Sequence, residues 1–510
     1  MMKPVVFSML AVAPLFGASC ESLASLSLPA AIFTDVHEER GSNFIPPGEK
    51  VPPPGLPDFC RVQATLHPSA DSNIKIEIWL PLTAWNGKFQ GVGNGGFAGT
   101  LNYSAASGLA GALRHGYATA TTDTGHSGTS GDAAWALDHP EKIIDYGSRA
   151  IHLMTERAKT LTESFYGKPP SHAYFSSCSN GGRQALMEAQ RFPEDYDGII
   201  AGAPANNFTT LMAAFAWNQQ ALAKAPIAPE KLATIESAVL KECDVSEGLA
   251  DGMIDRPDSC HPKAMLKALP KDEADTLRKI YSGLPAAGGR SNFDGFPPGA
   301  ETGPGGWRPW ITGPKSAQEM FATNFFRFVV FNDPAFDIQK LDTTRGPANR
   351  EDELATILNA TDPRLDRFHD RGGRLILYHG WNDPAIPAPA TVRYYMQLQR
   401  TMGEQTAENF SRLYMAPGMQ HCGGGPGVNS FGAYGEGNAE MFSALERWVE
   451  KGEVPNQIIA SGPAFDTKTA TQRRTRPLCP YPRIAKYRGK GDINSASAFE
   501  CALPTEHGKE

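Results

Sequence analysis

Ser179 stands in a stretch whose residue types suit a nucleophile. Residues 172–184 read His-Ala-Tyr-Phe-Ser-Ser-Cys-Ser-Asn-Gly-Gly-Arg-Gln. Ala173, Tyr174 and Phe175 favour a strand, and residues 183–189 are good helix formers. Strand, tight turn and helix are the setting of a nucleophile elbow, with Ser179 at the apex. The usual Gly-x-Ser-x-Gly reads Ser177-Cys178-Ser179-Asn180-Gly181 here, with serine in place of the first glycine. An ordinary small-residue turn is the competing reading, and the rest of the chain decides between them.

Serine hydrolysis needs an imidazole base within hydrogen-bond reach and a carboxylate that orients it. After an elbow these follow in the order acid, then histidine. Asp383 comes just after an apolar run at 374–380, and His421 follows a strand-like run at 411–415. His126 precedes Ser179, the wrong order for the base, so polar packing near the site is expected of it. Residues 93–99 read Gly-Asn-Gly-Gly-Phe-Ala-Gly. They lack the Lys-Ser/Thr or G-x-G-x-x-G pattern of a phosphate cradle, whereas their place after an early strand suits an oxyanion loop. The second oxyanion donor is expected to be the N–H of Asn180. Cys178 and Cys422 adjoin Ser179 and His421, so a bridge between them would tie nucleophile to base.

Cys178-Ser179, Asp383 and His421-Cys422 resemble the shared signature of the tannase/feruloyl esterase family, which also includes terephthalate monoester hydrolases. The likeness extends to the tail, Arg-Thr-Arg-Pro-Leu-Cys-Pro-Tyr-Pro at 474–482 and Gly-Asp-Ile-Asn at 491–494, and spans about residues 20–501. It implies a Ser179–His421–Asp383 triad, with Gly95 or Gly96 as the first oxyanion donor. It implies the disulfides Cys20–Cys60, Cys178–Cys422, Cys243–Cys260 and Cys479–Cys501.

The loop at 243–255 is dense in acidic residues and glycines, and hard oxygen donors on a turning backbone suit Ca²⁺. It does not follow the EF-hand spacing. The resemblance implies the side chains of Asp244, Glu247 and Asp251 and the carbonyls of Leu249 and Met253 as ligands, in a structural role. Glu247 stands where aspartate is more usual; a metal-free acidic turn is the alternative.

These residues need elements to position them. Strands are expected at 74–80, half-buried by its alternation, and at 88–92, 116–123, 196–204, 373–379 and 411–415; helices are expected at 146–165, 391–401 and 440–449. Their alternation argues for a mostly parallel sheet with helices on both faces, the α/β-hydrolase fold. The alternation lapses between Pro204 and Gly373. Residues 205–369 read as a large inserted lid domain, with helices at 231–242 and 272–281. The lid carries Trp307, Trp310, Phe321, Phe325, Phe326, Phe328 and Phe331. Most of these belong in the lid's own core; one or two lining a pocket would suffice for an aromatic ligand. The catalytic parts are then 20–204 and 370–510.

The chain has 510 residues, enough for two domains or one with a large insertion, and 41% hydrophobic content, as expected of a globular protein. Its net charge of -7 and lack of a basic tract argue against a nucleic-acid partner. Residues 1–19 read as a signal peptide, and no later run suits a transmembrane helix. A lipid anchor on Cys20 is a lesser alternative. With eight cysteines, an even count, a secreted or periplasmic disulfide-bonded protein is expected.

The expected function is a serine carboxylic-ester hydrolase acting on small aromatic esters or on plant cell-wall and polyphenol esters. Hydroxycinnamate (feruloyl) esters come first, with gallate esters or terephthalate monoesters as alternatives. Arg327 lies in the lid, but the sequence does not place it against a substrate carboxylate. From another class, a noncatalytic calcium-dependent carbohydrate-binding protein would not need the intact Ser179, Asp383 and His421.

Overall fold

Period-two alternation of apolar side chains sends neighbours on a strand to opposite faces of a sheet, and each face then needs its own helical cover. The computed structural model, which describes residues 17–244, 249–285, 293–343, 348–432, 440–463 and 473–504, has this arrangement. Its main sheet has nine strands in the order β1-β2-β3-β5-β4-β6-β7-β8-β9. These are β1 (Ala31–Glu39), β2 (Phe59–Leu66), β3 (Ile74–Pro81), β4 (Phe89–Val92), β5 (Ala118–Thr122), β6 (Ala173–Cys178), β7 (Gly198–Gly202), β8 (Arg374–Gly380) and β9 (Ser411–Ala416). The run from β5 to β9 is parallel, and β1, β2 and β3 join it antiparallel.

Phe175, Leu375 and Leu377 face one core, covered by helices Ala150–Tyr166, Asn180–Arg191 and Ala388–Met402. Tyr174, Ile376 and Tyr378 face the other, against Met441, Leu445 and Trp448 of helix Glu440–Lys451. The α/β-hydrolase fold expected from the alternation is therefore present. One strand differs: β3 is buried on both faces except at Lys75. Its outer face is sealed because Phe44, Leu56 and helix Leu109–Arg114 pack on Trp79.

Between β7 and β8 the described residues contribute no strand to the sheet, and this segment, 205–369 as read from sequence, packs its apolar side chains into a second core together with Phe97, Ile143, Tyr146 and Ile386. Trp307, Phe325 and Phe326 are buried in it. Its longest helix, Phe208–Lys224, was not legible as a helix from periodicity, because it is apolar on nearly all sides. The four disulfides pair as the resemblance implies. Cys20 is thereby bonded to Cys60, and its sulfur is closed to a lipid thioether. Residues 1–16 of the expected signal peptide lie outside the described residues.

Candidate active site

Strand order brings the parts together. β4 lies between β5 and β6, so the glycine-rich loop after β4 and the turn after β6 meet at the carboxyl ends of adjacent strands. This is where open α/β sheets form their crevice. Asp383 follows β8 and His421 follows β9, along the same edge.

Ser179 has φ 68° and ψ -128°, a conformation that non-glycine residues rarely adopt, and helix Asn180–Arg191 begins immediately after it. The strain lifts the side chain clear of strand and helix. Serine at 177 is tolerated because 181 is glycine: a Cβ there would lie 1.8 Å from Ser177 Oγ.

Ser179 Oγ is 2.9 Å from His421 Nε2, and His421 Nδ1 is 2.7 Å from Asp383 Oδ2. A carboxylate only accepts, so the imidazole proton sits on Nδ1 and Nε2 faces the hydroxyl as acceptor. Asp383 is buried, and its Oδ1 accepts from Ala385 N at 2.7 Å and Ile386 N at 3.0 Å. Burial alone would push this carboxyl up. The charge of His421 and hydrogen bonds from His379 and His421 hold it well below the usual carboxylate range. Cys178–Cys422 closes the site from behind, and Cys422 takes φ 58°.

Gly95 and Gly96 both line the cavity beside Ser179 and Asn180. A Cβ at Gly95 would meet nothing within 4 Å, and Gly96 has φ +55°. The N–H of Asn180, at the first position of its helix, has no partner within that helix. The loop is tied to the elbow by residues that sequence reasoning did not single out. Tyr146 Oη lies 2.9 Å from Gly96 O and 3.0 Å from Asn180 Oδ1. Arg183, fully buried, donates from Nε to Asn180 Oδ1 at 2.7 Å and from Nη2 to Tyr146 O at 3.0 Å. Gln184 Oε1 accepts from Asn94 N at 3.0 Å. Arg183 and Gln184 directly follow Gly181-Gly182, which was the available signal; Tyr146 has none.

His126 stacks on Trp135 at 3.9 Å and bonds Phe97 O at 2.7 Å, and burial lowers it to about 4. It is a neutral packing residue, as its place in the chain order implied. His379, four residues before Asp383 and wholly buried, was not singled out, yet its Nε2 is 3.2 Å from Asp383 Oδ2.

The serine opens on a cavity of about 450 Å³. Trp310 and Phe321 alone of the seven lid aromatics line it, joined by Phe208, Leu211 and Phe215 of helix Phe208–Lys224 and by Ile386. Trp310 meets His421 edge-on at 5.1 Å, interplanar angle 72°. Polar lining comes from Asn94, Asn102, Ser107 and Ser130. Arg327 is not among the lining residues; its Nε donates to Phe336 O at 2.8 Å.

Of the calcium-loop residues, Glu247 lies outside the described residues. Asp244 and Asp251 are buried, as is Met253. Asp244 Oδ2 accepts from Gly252 N at 2.9 Å, and the carboxylate of Asp251 pairs with Arg476. Leu249 lies beside the C-terminal cluster around Cys479. Buried carboxylates on a turning backbone are donors that fit a hard cation.

Comparison with known proteins places the chain in a family. Residues 60–502 match the family described as tannase and feruloyl esterase. An uncharacterized esterase of Xanthomonas campestris pv. campestris is 36% identical, covering 95% of this chain and 91% of its own. A mono(2-hydroxyethyl) terephthalate hydrolase of Piscinibacter sakaiensis is 32% identical, covering 88% of this chain and 85% of its own. The crystal structure of feruloyl esterase B from Aspergillus oryzae superposes with TM-score 0.84 at 26% identity, over 95% of this chain and 99% of that one.

Proposed function

The chain belongs to the tannase and feruloyl esterase family and is a carboxylic ester hydrolase, and we propose that it cleaves esters of neutral aromatic acids, hydroxycinnamates foremost, through Ser179, His421 and Asp383. The observation that carries this reading is the continuous line of hydrogen bonds from Ser179 Oγ through His421 to Asp383, opening on an aromatic-walled cavity.

Ser179 Oγ attacks the ester carbonyl carbon as its proton passes to His421 Nε2. Asp383 keeps the imidazole oriented and balances its charge. The N–H groups of Asn180 and of Gly95 or Gly96 receive the oxyanion. Collapse of the tetrahedral adduct breaks the bond to the alcohol oxygen, which takes the proton from His421. Water, deprotonated by His421, then releases the acid from Ser179.

The acyl group rests on the wall of Phe208, Phe215, Phe321 and Trp310, and the alcohol faces the polar lining. Among the described residues, the cavity lining holds no Lys or Arg. A free carboxylate there would lose water without gaining a cationic partner, which disfavours a terephthalate monoester. Gallate, with three hydroxyls to satisfy, fits the apolar wall less well than a cinnamate.

Calcium at the 243–255 loop, held by Asp244, Asp251, Glu247 and the carbonyls of Leu249 and Met253, would brace the lid. It would lie beside the tail, because Arg474 donates to Asp251 O at 3.1 Å and Arg476 pairs with its carboxylate. Chelation should lower Tm, and added Ca²⁺ should restore it; an indifferent Tm would remove calcium from the reading. Four disulfides suit secretion or the periplasm.

The test is turnover of methyl ferulate, methyl caffeate, methyl gallate and a terephthalate monoester, with Ser179→Ala as control. Ferulate or caffeate should be preferred and Ser179→Ala inactive. A folded protein inert toward all four would favour the carbohydrate-binding alternative. Preference for the terephthalate monoester would overturn the neutral-acyl assignment.

A further inference from the structure

The acid of the triad is shared by two histidines. Besides His421, the carboxylate of Asp383 is met by His379, which lies on β8 four residues earlier and is completely buried. His379 Nε2 faces two oxygens, Asp383 Oδ2 at 3.2 Å and Ile386 O at 3.1 Å. Neither can donate, so Nε2 carries the proton and the N–H is shared between them. On the other side of the ring, Nδ1 is 2.8 Å from Thr391 Oγ1, on helix Ala388–Met402. A hydroxyl can donate there. Both ring nitrogens of His379 then have partners: Nδ1 meets Thr391, and Nε2 donates to Asp383.

We infer that His379 is a positioning residue for ester hydrolysis, anchored on its far side by Thr391 so that its Nε2–H fixes the carboxylate of Asp383 for His421. The inference rests on the serine-esterase reading above. Its logic is a count of donors. Asp383 receives four: two backbone N–H groups on Oδ1 and two imidazole N–H groups on Oδ2. Four donors prevent the carboxylate from rotating. Thr391 fixes the ring from its far side through its contact with Nδ1. The titratable groups facing His379 are Asp383 and, across it, His421; Thr391 and the Ile386 carbonyl are neutral.

Three variants separate positioning from packing: His379→Leu, His379→Gln and Thr391→Val. Each is measured for kcat, KM, Tm and the pH profile of kcat/KM on the best ester, with active-site titration to count competent molecules. In His379→Leu, Oδ2 loses a donor and becomes more basic toward His421, so the acidic limb of kcat/KM moves to higher pH. Per competent molecule, kcat should fall by up to roughly a hundredfold with KM little changed. His379→Gln, whose amide N–H can replace Nε2–H, should recover much of the rate. Thr391→Val keeps the shape and removes the hydroxyl; it should lower kcat more mildly, and it serves if both His379 variants misfold. An unmoved acidic limb with normal kcat per competent molecule would reduce His379 to packing, as would equal impairment in His379→Leu and His379→Gln. Persistent turnover by Ser179→Ala would instead defeat the underlying serine reading, so the two failures are distinguishable.

Discussion

Cys178 and Cys422, whose Cα atoms lie 6.0 Å apart across a disulfide, are the chain neighbours of Ser179 and His421. They are 244 positions apart in sequence. The bridge thus fixes the end of β6 to the loop after β9 directly behind the Ser179–His421 hydrogen bond. Converting both cysteines to alanine should cost about 2–5 kcal/mol of stability. Where the variant remains folded, kcat/KM should still fall by roughly tenfold or more, because the base loses its registration. Ester kinetics well below the variant's Tm check this, and unchanged kcat/KM would limit the bridge to stability.

Gly181 and Ser177 form a second pair in which each residue sets the other's limit. Gly181→Ala would force a Cβ to within 1.8 Å of Ser177 Oγ. The clash should cost about 1–3 kcal/mol and displace the elbow. The double variant Ser177→Gly/Gly181→Ala removes the obstructing hydroxyl and should regain both Tm and kcat. Absence of any recovery would show that Gly181 is needed for another reason.

Phe321 packs against Phe97 at 5.4 Å and lines the cavity, so it tests the aromatic wall without touching the triad. Phe321→Ala should raise KM for a ferulate ester by roughly tenfold, the loss of about 1.5 kcal/mol of aromatic contact. Hydrolysis of an acetate ester should change little. Equal effects on both esters would mean that the acyl group does not rest on this wall.

Burial keeps His126 neutral in the fold, with its pKa lowered from 6.5 to about 4. Between these values the unfolded chain takes up a proton that the native state does not. Its contribution to stability is therefore intact above pH 6.5 and is lost as the pH falls toward 4. His126→Gln keeps a donor for Phe97 O and removes the titration. The stability of wild type relative to this variant should decline on acidification, by on the order of 3 kcal/mol at the acid end. Urea unfolding of both proteins across that range measures it, and parallel curves would contradict the assignment.

Much of the site was legible because its chemistry is local. The elbow is written in 177–181, and Asp383 and His421 each sit just beyond a strand-like run beside small or turning residues. The lid aromatics were recognisable as a group, but which two would line the cavity depended on how Trp310 and Phe321 turn toward β4 and β9. Helix Phe208–Lys224 was missed because a helix buried on most sides loses its one-faced pattern. Tyr146, Arg183, His379 and Thr391 carry no motif, since their roles are hydrogen bonds to residues brought close only by folding.

The order Ser179, Asp383, His421, the strand-to-helix turn and the even set of cysteines were determined by the chain alone, because elbow strain and strand periodicity are short-range constraints. The tertiary structure decided which loops meet. Placing β4 between β5 and β6 sets the glycine loop against the elbow, and ordering β7, β8 and β9 beyond β6 swings Asp383 and His421 back toward Ser179. It also decided that Asp383 has two histidines, because burying a carboxylate at the end of β8 requires donors to replace water, and His379 and His421 are what the packed strands supply.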